Sequence, residues 1–211
     1  MSRLKAPLLT LALLAPLPLF ALPGLSIDTR AFAGGASIGG GTAPDGFEVG
    51  GRATVVVGGN VFGDVQYTRF DGESNAFGDG RETEIGEVRV GGGYQLSLPV
   101  LPIASLGVYA HFISRDVDYN GGGGGSGEGH DIGVIGRLTP LPLFGVYARI
   151  GRIDVGGPDG YGAEGLDALA GVDFSLLPLV GVFFELRRTD LRAGGRSFES
   201  NGLRGGLRIS L

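Results

Sequence analysis

The sequence has 211 residues, enough for one domain, with 43 glycines, no cysteine, no tryptophan and a formal net charge of −5. Without cysteine there is no disulfide framework, and the glycines lack the three-residue period of collagen. An acidic chain whose one lysine is Lys5 presents no basic patch for nucleic acid.

The first element in chain order is an export signal. Arg3 and Lys5 give a basic start, Ala6 to Leu22 are apolar, and Ala31-Phe32-Ala33 offers a small-x-small cleavage site. Pro16 and Pro18 argue against a membrane-anchoring helix over the same stretch. The division expected is a signal peptide at 1–33, with a cut after Ala21 as the alternative, and one domain at 34–211. Removing 1–33 takes away three cations and one carboxylate, so the remaining chain is more acidic still.

From Phe47 onward the pattern is strand after strand, expected near 47–57, 61–70, 83–98, 103–119, 130–141, 144–155, 166–177, 180–191 and 203–211. The motif Gly107-Val108-Tyr109-Ala110 recurs as Gly145-Val146-Tyr147-Ala148 and Gly181-Val182-Phe183-Phe184, each after a short proline-containing turn. An interval of 38 and then 36 residues fits a strand pair with one short turn and one longer loop. The longer loops are the polar stretches 71–82, 120–129, 156–165 and 192–202. Nine strands is an odd count, so a tenth is placed at Phe32 to Gly40, with eight strands the alternative. A cut after Ala33 would leave that strand short.

Facing follows from the period of two. Val88, Val90, Tyr94, Leu96 and Leu98 share a face opposite Glu87, Arg89, Gln95 and Ser97. Leu166, Ala168, Ala170, Val172 and Phe174 oppose Asp167 and Asp173, while Val180, Val182, Phe184 and Leu186 oppose Glu185 and Arg187. The chain ends with Leu203, Leu207, Ile209 and Leu211 opposite Arg204, Arg208 and Ser210. A terminal strand without a cap needs a partner on each side, which a closed barrel supplies. Period alone does not say which face is inside. The export signal and the alternation of short turns with long loops select an apolar exterior in lipid and a charged lumen. The fold class is therefore all-β, a transmembrane antiparallel up-and-down barrel, with a soluble periplasmic ligand-binding barrel as the distant alternative.

The chain resembles the small outer-membrane β-barrel proteins of Gram-negative bacteria, the group that includes the OmpA transmembrane domain, OmpX and short porin-like proteins. The ending Arg204-Gly205-Gly206-Leu207-Arg208-Ile209-Ser210-Leu211 matches their terminal assembly signal, carried here by Gly206, Ile209 and Leu211, although a terminal Phe is more usual there. The resemblance implies outer-membrane location, contact with lipid and lipopolysaccharide, delivery by the barrel-assembly machinery and a monomer. It implies a structural, interaction or envelope-integrity role, with a small diffusion or ion channel as the alternative.

The chemistry-bearing residues are those of the inferred lumen: Glu48, Arg52, Asp64, Glu87, Arg89, His111, Arg115, Arg137, Arg149, Asp167, Asp173, Glu185, Arg187, Arg204 and Arg208. Arginines and carboxylates enclosed together pair, because a lone charge away from water is costly. Such pairing gives a plugged interior; incomplete pairing would give a narrow, anion-favouring channel. Catalysis is not expected. Sites resembling the lipid A deacylases place a His and a Ser two apart, whereas His111 and Ser114 are three apart and point to opposite faces of a strand. The glycines Gly121 to Gly125 lack the lysine and the following helix of a phosphate cradle and read as a mobile tip. The acidic residues Asp71, Glu73, Asp79, Glu82, Glu84, Asp116, Asp118 and Glu128 read as a solvated outer rim, with divalent cations bridging to lipopolysaccharide as the alternative. No metal or cofactor is expected.

Overall fold

A computed structural model of the chain describes residues 24–39, 45–74, 81–99, 101–120, 124–156, 162–193 and 196–211. Ten antiparallel strands close on themselves: β1 (Leu25–Ile38), β2 (Gly46–Val57), β3 (Val61–Ser74), β4 (Arg81–Leu98), β5 (Leu101–Tyr119), β6 (Gly124–Leu141), β7 (Phe144–Val155), β8 (Ala163–Ser175), β9 (Val180–Ala193) and β10 (Arg196–Ser210). Each strand pairs with its chain neighbours, and β1 pairs with β10 from Asp28↔Ser210 to Ile38↔Ser200. Closure leaves no edge, so ladder groups find their partners inside the sheet. Ten strands, not eight, form the wall.

The first strand differs from its expected bounds. It starts at Leu25 and runs through Ala31-Phe32-Ala33, with Phe32 opposite Gly50 on one side and Gly206 on the other. The basic start and apolar stretch of the export signal, with the alternative cut after Ala21, fall on residues outside those described. The period of two continues upstream of Phe32 through Arg30 and Asp28, which a cleavage at Ala33 assigns to the leader.

The strands also reach further into the polar stretches than expected. β3 continues to Ser74, β6 begins at Gly124, β8 at Ala163 and β10 at Arg196. Outward positions there are charged, as at Asp71, Glu84, Arg152 and Glu164. The wall therefore rises beyond its apolar belt into water, because ladder pairing does not depend on what the side chains face. Of the acidic rim, Asp79 lies outside the described residues, as do the glycines at 121–123.

The belt itself is made of outward Val, Leu, Ile and Phe. Val88, Val90, Val108, Phe112, Ile132, Ile150, Leu166, Phe184, Leu186, Leu203 and Leu207 are all exposed on the outer face. Water would oppose such a continuous apolar ring, whereas lipid accepts it. A soluble barrel would turn these side chains inward, so this architecture is that of a transmembrane β-barrel.

Candidate functional site: the charged lumen

Inward positions of all ten strands converge on a polar interior. Glycines on one strand make room for aromatic rings from the next: Tyr109 faces Gly133, Tyr147 faces Gly171 and Phe62 faces Gly93 across the ladder. A Cβ at Gly171 would stand 2.5 Å from the Tyr147 ring. These glycines are thus the space that lumen rings occupy.

Thirteen of the fourteen charged residues expected in the lumen lie inward with an ion-pair partner there, and the fourteenth, Asp64, lies inward in hydrogen-bond contact with His111. They fall into two groups. In the first, Glu185 accepts from Arg52 Nη2 at 2.9 Å, Arg204 Nε at 2.6 Å and the Tyr147 hydroxyl at 2.7 Å. Arg204 also donates to Glu48 at 2.9 Å and lies 4.0 Å above the Phe32 ring. Asp173 joins Arg137 at 2.9 Å and Arg208 at 2.9 Å.

The second group is centred on Asp167, which is fully buried. It accepts from Arg89 Nη1 at 2.8 Å, Arg187 Nε at 2.9 Å, Thr189 Oγ1 at 2.6 Å and Arg149 Nη2 at 3.3 Å. Arg89, itself 2% exposed, also donates to Glu87 at 2.7 Å and Asp131 at 2.8 Å. Arg115 pairs with Glu87, and Asp64 meets His111 Nε2 at 2.7 Å.

Sequence reasoning missed several members. Asp28 and Arg30 form a 2.8 Å pair inside the barrel, and Arg208 reaches Asp28 as well. Asp131, Tyr109, Tyr147 and Thr189 take part too. Strand parity was the available signal: Tyr109 is in phase with His111, and Tyr147 with Arg149. Among the described residues the lumen groups comprise nine arginines and eight Asp or Glu side chains. Within that set the arginine nitrogens Arg52 Nε, Arg89 Nη2, Arg149 Nε and Arg204 Nη2 are buried without a partner.

One part of the lumen wall is apolar. Ile113 and Ile153 are fully buried and pack with Val155 and Leu191. His111 shares the inward face of β5 with Ile113, while Ser114 sits at the opposite parity, on the outward side.

No family model matches this sequence, and no curated protein sequence does. The fold is similar to solved structures. The β domain of the Bordetella autotransporter BrkA matches at TM-score 0.56 with 16% identity, covering 89% of this chain and 100% of that one. Neisserial surface protein A matches at 0.44 with 15% identity over 88% and 96%. The outer membrane protease OmpT from Escherichia coli matches at 0.47 with 10% identity over 93% and 99%. At such identities the likeness is one of fold, that of the outer-membrane type of β-barrel.

Proposed function

We propose that the protein is a monomeric outer-membrane barrel with a structural, interaction or envelope-integrity role, whose filled lumen is a scaffold and not a diffusion path. The observation that carries this reading is the interlocked lumen, in which ion pairs between non-adjacent strands bridge the interior: Arg52 to Glu185, Arg89 to Asp167 and Arg187 to Glu87. A barrel of eight strands is just filled by its side chains, and two further strands add width that long arginines and tyrosines span.

On this reading the belt contacts outer-membrane lipid and lipopolysaccharide, and Gly206, Ile209 and Leu211 serve delivery to the barrel-assembly machinery. Cleavage of the leader then precedes Leu25, because a cut after Ala33 would remove Asp28 and Arg30 from the lumen. Amino-terminal sequencing of the membrane-borne protein tests that point.

Planar-bilayer recording of the purified protein tests the main one. A filled lumen gives no steady open state; a stable, reproducible conductance would overturn the proposal in favour of a second reading, a narrow anion-favouring pore. The four partnerless guanidinium nitrogens are the observation on that side, since they would stabilise a passing anion.

A further inference from the structure

The short-turn mouth of the barrel carries a second apolar surface. Three of its four turns are built from leucine and proline: the β4–β5 turn around Pro99, the β6–β7 turn around Pro142 and the β8–β9 turn at Leu176-Leu177-Pro178-Leu179. Leu141, Leu143, Leu176 and Leu177 are between 61% and 64% exposed. The fourth turn, Gly58-Gly59-Asn60 between β2 and β3, has no apolar side chain, and both glycines adopt positive φ.

The backbone of the β6–β7 and β8–β9 turns needs little water. Leu176 and Leu177 donate to the Val180 carbonyl, Val180 donates back to Leu177, and the carbonyls of Leu143 and Leu179 accept from Ser175 and Ser210 of neighbouring strands. Pro99, Pro140, Pro142 and Pro178 have no N–H to satisfy. In lipid an unpaired donor is costly, so turns poor in donors and closed on themselves are suited to it. Their leucines also continue the outward belt without interruption through Phe174 and Val180.

We propose that these three turns are immersed in the adjacent lipid leaflet, so that the β4–β9 side of the barrel sits deeper than the side bearing the Gly58-Gly59-Asn60 turn. The occupant of the surface is the acyl and glycerol region of phospholipid, an extension of the interface that the belt already makes. The inference rests on the membrane reading above, and the test separates the two.

Because the chain has no tryptophan, single probes can be introduced one at a time: Leu143→Trp, Leu177→Trp and Asn60→Trp, with Phe184→Trp as the belt reference. Each is reconstituted in vesicles of phosphatidylcholine brominated on its acyl chains, and emission is compared with and without acrylamide. The two leucine-turn probes are expected to emit at short wavelength, to be quenched by bromine as strongly as the belt probe and to resist acrylamide. The Asn60 probe is expected to behave in the opposite way. The variants Leu143→Cys and Leu177→Cys, labelled by a charged maleimide present on both sides of the vesicle, avoid any pull of the indole toward the interface; little labelling is expected. Acrylamide quenching or ready labelling at 143 and 177, with the belt probe still quenched by bromine, would overturn the inference alone. Equal bromine quenching at Asn60 would overturn the uneven depth. An unquenched Phe184→Trp would overturn the membrane reading and this inference with it.

Discussion

Replacing Asp167 by Asn removes one charge from the middle of the lumen with little change of shape. Arg89 keeps Glu87 and Asp131 as partners, and Arg187 keeps Glu87. Among the described residues, Arg149 loses the one carboxylate that it contacts in an ion pair, while remaining buried. An uncompensated buried charge costs about 3–5 kcal/mol. With a urea slope of about 3 kcal/mol per M, the unfolding midpoint of the reconstituted barrel falls by about 1–1.7 M. The transition is followed by circular dichroism and by the heat-dependent shift on gels. Adding Arg149→Met to Asp167→Asn removes the stranded cation, so the double variant should recover at least about 1 kcal/mol over the single one. A single-variant loss below about 1 kcal/mol, the level of an exposed pair, would show that water reaches Arg149 freely and would refute the packed lumen.

Other substitutions test other parts of the barrel. Val182→Arg places a cation within the belt of β9 at a cost of about 2–4 kcal/mol, so the variant should be depleted from the outer membrane; wild-type levels there would contradict a lipid-facing wall. Deleting Ile209 to Leu211 removes the Thr29↔Ile209 and Asp28↔Ser210 pairings and the mutual bonds between Ile27 and Leu211; the folded fraction by gel shift should drop sharply, and an unchanged fraction would show that closure does not depend on the end of β10. Arg89→Ala combined with Arg187→Ala opens space beside Asp167 and Glu87 and should produce leak currents in planar bilayers where the parent gives none.

The alternation of residues along the strands was enough to separate an apolar face from a charged one, because a period of two does so whatever the register, and the export signal with the alternation of short turns and long loops turned the apolar face outward. It also placed Glu87, Arg89, Asp167, Glu185 and Arg204 on a common side. Which of them meet was decided only by the tertiary structure. Glu48 and Arg204 are 156 residues apart and touch because closure brings β2 and β10 to either side of β1. The role of Asp28 and Arg30 was hidden for a different reason: a short apolar stretch before a small-x-small site has the composition of a leader, and only pairing with β2 and β10 makes it a strand. The inward aromatics were hidden because Tyr109 and Tyr147 occur in a motif with apolar neighbours, and their burial depends on glycines supplied by the adjacent strand. Local backbone geometry sets the face of each residue and can be read along the chain, while the partner across the lumen depends on the closure and register of the whole sheet.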